Sequence, residues 1–399
     1  MEKRAASVAQ SAHSRRAAAV TSLESGHDRP CPRRLNFDIT ALERIGWPAR
    51  QAWPAGWEAV FATFPDARPA RVVEQHRSGY VVAQSMDEAE PAESLPDWMR
   101  PRCDPSERAA VGDWVLVEGE SGKWRIVALL PRLSVIKRAA AGEHYKQQLI
   151  AANVDTAFVV TGLDADFNPR RIERYLLLMQ GGGVQPVVVL TKQDIALDAP
   201  GAVATLAFLA EQGIAVRSVN AREPDSVPAL DPWLGAGRTV VLVGSSGAGK
   251  STLSNTLLGT QKMKTAAVRE HDARGRHTTT HRALIPLPQG ACLIDTPGMR
   301  ELKPTGEEQL DAAAFADVET LAAQCRFRDC RHEKEPGCAL REAVERGELD
   351  AGRFANYLKL RDELAAAAQV LEARQARKGE AKVQTRALHR RLDDKYGRH

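Results

Sequence analysis

The sequence of 399 residues predicts a multidomain chain in which a small β-barrel precedes a doubly wound α/β domain and a C-terminal helical domain that binds a metal. Three observations predict this order. Short strands separated by turn residues follow Ala70, and apolar strands alternate with helices from about Gln148. Three cysteines and a histidine then lie between Cys325 and Cys338. The expected domains are a disordered basic extension at 1–40, the barrel with its lead-in at 41–137, the α/β domain at 138–304, and the metal-binding domain with a basic tail at 305–399.

Composition sets only broad limits on the function. A net charge of +4 is too small to imply nucleic acid by itself, but the C-terminal tail is strongly basic. An RNA contact and a solvated helix face explain that tail equally well. Its basic residues are Arg374, Arg377, Lys378, Lys382, Arg386, Arg390, Arg391, Lys395 and Arg398.

The N-terminal segment is rich in Ala, Ser and Arg and has no apolar core pattern. It has no secretory signal, and no later stretch is long and apolar enough to span a membrane, so we expect no membrane partner. A disordered extension of a cytoplasmic protein is the preferred interpretation, and an organellar transit peptide is the alternative. Cysteines clustered beside a histidine also favour a metal site, and hence a reducing cytoplasm, over a disulfide framework.

The barrel prediction rests on four short strand patterns separated by turns. Tryptophans and prolines between Trp47 and Trp57 precede them and suggest a packed lead-in. Four or five such strands in about 70 residues suit a barrel of the oligonucleotide-binding type. An SH3-like barrel would produce nearly the same pattern. The predicted strands are Arg71–His76, Tyr80–Ala83, Trp114–Val117 and Trp124–Leu129.

In the next part of the chain, apolar strands that look buried on both faces alternate with helices, which is typical of a doubly wound parallel sheet. Asn168 should cap the first helix, Gly181 should stop it, and a ligand is expected at the carboxyl ends of the strands. The predicted strands are Thr156–Val160, Val187–Leu190, Ala215–Ser218, Thr239–Val243 and Cys292–Ile294, and the helices are Pro169–Met179 and Ala202–Gln212.

A phosphate-loop signature follows the strand that ends at Val243 and precedes a predicted helix, which is the context that the motif demands. Its glycines let backbone N–H groups surround a β-phosphate, and the helix N-terminus adds positive potential. Lys250 should bridge the β- and γ-phosphates, and Ser251 should bind Mg²⁺. The residues expected at the nucleotide are Gly244, Ser245, Ser246, Gly247, Ala248, Gly249, Lys250, Ser251 and Thr252.

A second signature, Asp295-Thr296-Pro297-Gly298, also follows an apolar strand. We expect Asp295 in the outer coordination sphere of Mg²⁺ and the N–H of Gly298 at the γ-phosphate. Alone, such a tetrapeptide is a common turn. Its position downstream of a phosphate loop makes it informative.

A third signature, the four residues from Thr191 to Asp194, determines the base. Guanine presents two adjacent donors that the Asp194 carboxylate can accept, whereas adenine offers an acceptor in place of one of them. The stem of Lys192 should cover the base, and Thr191, where Asn is usual, should tie this segment to the phosphate loop. The full segment is Thr191, Lys192, Gln193 and Asp194, and Asn220 and Ala221 are candidates for a second base-contacting loop.

The polar segment from Arg274 to Thr280 lies between the phosphate loop and Asp295 and should contain a switch. We favour Thr279 over its neighbours as the threonine that closes on Mg²⁺ and the γ-phosphate. Met299 stands where Ras-like enzymes carry the glutamine that orients the attacking water, so another group must do this. His277 is the nearest candidate, and a packing or RNA-contacting role for it is equally consistent. Unassisted turnover should be slow in either case.

The C-terminal cluster has the composition of a closed tetrahedral zinc site. With no open coordination position, the one expected Zn²⁺ is structural. Gly337 should permit the sharp approach of the last ligand. His332 lies between two cysteines and is the preferred histidine over His271, His277 and His281. The expected ligands are Cys325, Cys330, His332 and Cys338.

The order of these signatures is unusual, because in a Ras-like GTPase the phosphate loop comes first and the base-reading motif near the end. Here the set is complete but rotated, so the chain resembles the circularly permuted, small-ribosomal-subunit-dependent GTPases of bacteria. The resemblance covers the chain from about Ala70 to the C-terminal region. It implies an oligonucleotide-binding-type barrel, a circularly permuted P-loop α/β GTPase domain and a zinc-knuckle domain. The N-terminal extension lies outside the resemblance.

The resemblance also implies partners and a role. We expect GTP and GDP as ligands, binding to the 30S subunit and its 16S rRNA, assistance in late 30S maturation, and GTPase stimulation by the particle. It raises the candidacy of His277, since the family's switch histidine matches this position. A nucleotide-gated, protein-binding signalling GTPase is the alternative, and a P-loop ATPase or small-molecule kinase is disfavoured by the guanine signature. We expect a monomer.

Overall fold

The N-terminal part of the described chain is a lead-in packed around tryptophans. This computed structural model describes residues 37–76, 79–100, 103–139, 147–260, 282–296, 304–308 and 313–396. All the elements below belong to one unit, Asp38–His399. The lead-in contains α1 (Ile39–Arg44) and α2 (Trp57–Thr63). The Trp47 ring lies 4.8 Å from that of Trp57 and 4.7 Å from that of Trp114, which confirms a packed lead-in.

Five short strands follow the lead-in, within the four or five expected, and one of them matches none of the four strand patterns predicted from the sequence. β1 pairs antiparallel with β2 and β4, β2 with β3, and β4 with β5, while β3 and β5 pair in parallel. The extra strand, β3, contains Pro91 and two glutamates, so it has no apolar signal. The strands are β1 (Arg68–Gln75), β2 (Tyr80–Ala83), β3 (Ala89–Glu93), β4 (Trp114–Glu118) and β5 (Trp124–Leu129).

A hairpin that the sequence analysis missed connects these strands to the α/β domain. It consists of β6 (Val135–Ala139) and β7 (Gln147–Ala152), which pair antiparallel in a sheet of their own. β7 leads within a few residues into β8 (Thr156–Gly162), the first strand of the α/β domain.

The α/β domain contains the predicted parallel sheet. Its strand order is β10-β9-β8-β11-β13-β12; all neighbours are parallel except β12 and β13. The sheet continues from β12 into β1. After β8, its elements are α3 (Pro169–Gly181), β9 (Gln185–Thr191), α4 (Ala199–Thr205), α5 (Ala207–Glu211), β10 (Ala215–Ser218), β11 (Thr239–Val243), α6 (Lys250–Leu258), β12 (Ala283–Pro286) and β13 (Cys292–Asp295).

Two helix predictions in this domain need small corrections. The Asn168 side chain does cap α3, accepting from the Arg171 N–H at 3.2 Å, but α3 includes Gly181 and its C-cap is Gly182. The predicted helix at 202–212 is two short helices that meet at Leu206, which is fully buried and caps the end of α4 and the start of α5.

The C-terminal region is helical, as predicted, and its longest helix docks on α3. The elements are α7 (Ala316–Ala322), α8 (Ala339–Glu345) and α9 (Ala351–Tyr396). Tyr357, Leu360 and Leu364 on α9 are buried and belong to the core. Beside them, the buried carboxylate of Glu173 on α3 accepts from Arg353 on α9 at 2.6 Å. Burial raises the pKa of Glu173, and the Arg353 cation opposes that shift.

None of the helices in the described ranges combines the length and the apolar character needed to cross a membrane.

Candidate nucleotide-binding site and metal centre

The phosphate-loop residues form a tight turn between β11 and α6 at the carboxyl edge of the sheet. Gly244 has φ +148°, and a Cβ there would lie 2.1 Å from the Val160 carbonyl oxygen. Gly249 has φ +92° and is the N-cap of α6. Both positions therefore need glycine, and the turn directs the N-terminus of α6 toward the loop.

Side chains along this loop either bond to its own backbone or face solvent. The Lys250 ammonium folds back over the loop and donates to the Gly244 carbonyl at 2.8 Å and to the Ser245 carbonyl at 2.5 Å. Ser246, Gly247 and Ser251 are exposed. Ala248 is buried and Thr252 is half-buried, so the loop stands on the core while its polar edge faces solvent.

The base-reading segment is joined directly to the phosphate loop. The buried Thr191 hydroxyl donates to the Ala248 carbonyl at 2.6 Å, which confirms the predicted tie. Lys192 follows with φ +62°. Its Cδ would lie 3.2 Å from a Cβ added to Gly162, so the Lys192 stem packs against this glycine. Gln193 and Asp194 are exposed at the end of β9. Thr191 thus holds Lys192 and Asp194 beside the phosphate loop.

Asn220 and Ala221 lie beside this segment, just beyond β10. The Val219 N–H donates to the Leu190 carbonyl at 2.8 Å, which keeps the two chain segments adjacent. The Thr256 hydroxyl of α6 donates to the Ala221 carbonyl at 2.6 Å. The second base-loop candidate is therefore anchored to the helix that follows the phosphate loop.

The sequence analysis missed two carboxylates in the loop after β8. Asp166 accepts from the Ser245 hydroxyl and pairs with Arg171 at 2.5 Å, and Asp164 pairs with the Lys192 ammonium. Burial raises the pKa of Asp164, but hydrogen bonds and the Lys192 charge outweigh it and lower the pKa overall. One loop thus braces both the base segment and the phosphate loop. Their position directly after a buried parallel strand is the sequence signal from which both carboxylates could have been predicted.

The oxygen groups near the phosphate loop fit a magnesium ion. Asp295 ends β13, which is parallel to β11 and adjacent to it, and burial raises the pKa of its carboxyl. The buried Thr296 hydroxyl has no hydrogen-bond partner within the described ranges. Ser251 offers the hydroxyl oxygen, and Asp295 the outer-sphere carboxylate, expected of a site for Mg²⁺, which prefers hard oxygen ligands. The predicted switch residues His277 and Thr279, and Gly298, lie outside the described residues.

The predicted zinc ligands converge in the C-terminal domain. The four ligand atoms lie within 4.8 Å of one another. His332 Nδ1 is 3.5 Å from the Sγ atoms of both Cys325 and Cys338, which are 4.0 Å apart. Tetrahedral zinc with sulfur ligands requires edges of about 3.8 Å, so the set formed with Cys330 fits zinc. The other histidine candidates, His271, His277 and His281, lie outside the described residues.

Backbone geometry around these ligands shows how the loop turns. His332 has φ +63° and Gly337 has φ +72°, which confirms the expected turn before the last cysteine. The Glu335 carboxylate accepts from the N–H groups of Arg331, Glu333 and Lys334. Backbone N–H groups, first that of Glu335 itself and then those of these neighbours, lower the pKa of Glu335 to about 2. The loop is therefore held by its own hydrogen bonds as well as by its ligand set.

Comparison with known proteins agrees with this geometry. The profile of the RsgA GTPase family matches residues 129–305. The chain is 67% identical over 350 residues to the small ribosomal subunit biogenesis GTPase RsgA of Xanthomonas euvesicatoria pv. vesicatoria, covering 86% of this chain and 94% of that protein. The corresponding protein of Xanthomonas campestris pv. campestris is 66% identical over 346 residues, covering 86% of this chain and 93% of that protein.

Two solved structures show the same fold. YloQ, described as a circularly permuted GTPase, superposes with a TM-score of 0.53 at 22% identity, covering 75% of this chain and 96% of that chain. YjeQ from Thermotoga maritima superposes with a TM-score of 0.54 at 24% identity, covering 75% of this chain and 99% of that chain. The rotated order of β8 to β10 before β11 is thus the order of a circularly permuted GTPase. The identity of 66–67% to the two Xanthomonas proteins, together with this fold, shows that the chain belongs to the RsgA family of GTPases.

Proposed function

We propose that this chain hydrolyses GTP while bound to the small ribosomal subunit and assists a late step of its maturation, with the particle stimulating hydrolysis and hydrolysis driving release. The observation that carries this proposal is the Thr191–Ala248 hydrogen bond, which joins a guanine-type segment to a phosphate loop. The names of the most similar relatives support the ribosomal setting.

Guanine selection is assigned to the end of β9. Asp194 accepts the two adjacent donors of guanine, and the Lys192 stem covers the base. Gln193 lies between them in this segment. Asn220 and Ala221 approach the same base from the neighbouring strand end, a role supported by the anchoring of Ala221 to Thr256.

The phosphates are assigned to the loop Gly244–Gly249 and the start of α6. Backbone N–H groups and Lys250 bind the β- and γ-phosphates, and Ser251 and Asp295 hold the associated Mg²⁺, with Thr252 close by. When bound, Mg²⁺ neutralises charge on the phosphate oxygens. The N–H of Gly298 and the Thr279 hydroxyl close on the γ-phosphate, and His277 orients the attacking water because Met299 cannot.

Ribosome binding is assigned to the two flanking domains. We infer an oligonucleotide-binding-type barrel for β1–β5, supported by the two partners that each strand has within that group. One structural Zn²⁺ orders the C-terminal domain, and 16S rRNA is the proposed contact of both domains. The limits 1–40, 41–137, 138–304 and 305–399 remain our domain proposal, together with a cytoplasmic, monomeric protein.

The test is GTP hydrolysis with and without purified 30S subunits, using ATP and a Lys250→Ala variant as controls. We expect stimulation that is selective for GTP and absent in the variant, since Lys250 contacts the transferred phosphate. Hydrolysis indifferent to 30S would favour the signalling GTPase instead. Efficient use of ATP would overturn the guanine assignment.

A further inference from the structure

One aromatic side chain in the zinc loop is unusually exposed. Phe327 lies between the ligands Cys325 and Cys330, and it is 42% exposed. It is the only aromatic residue among the exposed large apolar side chains of the described ranges. A single exposed apolar side chain is ordinary on a protein surface, so the groups around this ring decide whether it has a binding role.

The backbone beneath this ring is fixed from several directions. The Cys330 N–H donates to the Phe327 carbonyl at 3.2 Å, and the Arg326 N–H donates to the Gly337 carbonyl at 3.0 Å. Arg361 on α9 donates to the Arg331 carbonyl at 2.8 Å and holds the loop against the long helix. The backbone under the ring is therefore already ordered, so little conformational entropy is lost when a ligand binds.

The surroundings of the ring are charged rather than apolar. The Arg326 guanidinium lies 5.5 Å from the centre of the Phe327 ring. Four exposed cations form no ion pair with any carboxylate of the described residues, and no other large apolar side chain of the loop is exposed. Of the nearby acids, Glu335 is already bound to backbone N–H groups. The cations are Arg326, Arg328, Arg331 and Lys334, and the acids are Asp329, Glu333 and Glu335.

A flat apolar ring beside unpaired cations matches the chemistry of an unpaired nucleotide. An aromatic face stacks on a base of any sequence, and adjacent cations pair with the flanking phosphates. An apolar protein surface would instead favour a larger patch of exposed apolar side chains. We propose that Phe327 is a stacking platform for one unpaired RNA base, with Arg326 and its neighbouring cations binding the phosphates on either side.

This proposal rests on the proposed ribosomal function and assigns it a specific contact. The test uses the full chain and the variants Phe327→Ala, Phe327→Leu and Phe327→Trp, with Val370→Ala as control because Val370 is equally exposed, at 41%, on α9. Affinity is measured for purified 30S subunits, for a twelve-nucleotide single-stranded RNA and for an RNA duplex. Zinc content and thermal unfolding are measured in parallel.

We expect the Ala and Leu variants to bind single-stranded RNA and 30S about 5- to 150-fold more weakly, because one stacked base is lost. The Trp variant and the Val370 control should bind at least as well as the native chain, and every variant should keep one zinc ion. Weakened 30S binding with unchanged binding of single-stranded RNA would mean that Phe327 contacts a protein, and would overturn the proposal.

Two further results separate this proposal from the function on which it rests. If the native chain binds 30S and the Ala variant binds it equally well, only the platform is wrong. If the native chain does not bind 30S at all, the ribosomal function itself fails, while the RNA oligonucleotide measurement still decides the platform.

Discussion

Single hydrogen bonds between distant loops hold the nucleotide site together. Thr191 occupies a position where asparagine is usual, yet its hydroxyl makes the same kind of tie, to the Ala248 carbonyl of the phosphate loop. Because both groups are buried, neither can exchange this bond for water. The segments proposed to read guanine and to bind phosphate are therefore joined through one side chain.

Replacing Thr191 with Val should weaken GTP binding. The variant keeps the side-chain shape but leaves the Ala248 carbonyl without this donor, at a cost of about 1–3 kcal/mol, and displaces Asp194 relative to the phosphate loop. We expect the Kd for GTP, measured by calorimetry, to rise by about fivefold or more. Thr191→Asn, which restores a donor, should retain most of the affinity. Equal Kd values for the native and Val forms would contradict this account.

At the scale of elements, the segment that follows Asp295-Thr296-Pro297-Gly298 is anchored on two sides. Glu307 accepts from Lys137 of β6 at 2.6 Å and from Gln147 of β7 at 3.0 Å. On the other side, a Cβ added to Gly306 would lie 2.6 Å from the backbone of α9 at Ala367. Residues 304–308 therefore contact both the β6–β7 hairpin and the C-terminal helix.

The Glu307 contacts should give stability a dependence on pH. Burial raises the pKa of Glu307, but hydrogen bonds from Lys137 and Gln147 and the Lys137 charge outweigh it and lower the pKa overall. A lowered carboxyl pKa stabilises the fold above the unfolded value of 4.5, and this contribution is lost as the pH falls below that value. Because Glu307 is 43% exposed, the contribution is at most about 1 kcal/mol.

Glu307→Gln should therefore lower the free energy of unfolding at pH 7 and reduce its fall as the pH drops from 5.5 to 3. Urea unfolding at several pH values measures both effects. The control is Glu342→Gln, which removes an exposed carboxylate on α8 and should change stability by no more than about 0.5 kcal/mol. An identical pH profile for the native chain and Glu307→Gln would show that these contacts do not persist in solution.

Across the whole molecule, one buried arginine joins the lead-in, the first strands and the α/β domain. Arg71 on β1 donates to the carbonyls of Ile45, Gly112 and Asn153 and lies 5.3 Å from the ring of Trp114. It is fully buried, and burial lowers its pKa. Three segments that are far apart in the sequence thus share a single cation.

Arg71→Met should destabilise the chain by roughly 3 kcal/mol or more, because it leaves three buried carbonyls without this donor. Urea unfolding followed by tryptophan fluorescence measures the change, since Trp47, Trp57 and Trp114 lie close together. Arg71→Lys should recover only part of the loss, since an ammonium does not reproduce the planar guanidinium fork. The exposed Arg125→Met is the control, with an expected change of about 0.5 kcal/mol or less. A native-like midpoint for Arg71→Met would contradict the role of Arg71 as a junction.

Much of the site could be predicted from short segments of sequence. The phosphate loop needs glycine at Gly244 and Gly249 for local backbone reasons, and the zinc ligands lie within one short loop. By contrast, β3 lacks a strand pattern because Pro91 and acidic residues interrupt it, and its pairing with β2 and β5 decides its conformation. Local propensity is a weak guide wherever partner strands supply the stabilising contacts.

The sequence by itself therefore determined the motifs of this GTPase and their order: a segment of the guanine-reading type, a phosphate-loop signature, a cluster of three cysteines and a histidine, and the rotated order in which they occur. The tertiary structure alone decided which groups support that chemistry. Asp166 is hydrogen-bonded to Ser245, which lies 79 residues away in the sequence. In the same way Asp164 is bonded to Lys192, 28 residues away, and Arg71 to the carbonyl of Asn153, 82 residues away. Backbone conformation within a motif depends on neighbouring residues, so it can be recognised in the sequence. A buried polar group is satisfied by whichever partner the folded chain brings to it, and no local pattern contains that information.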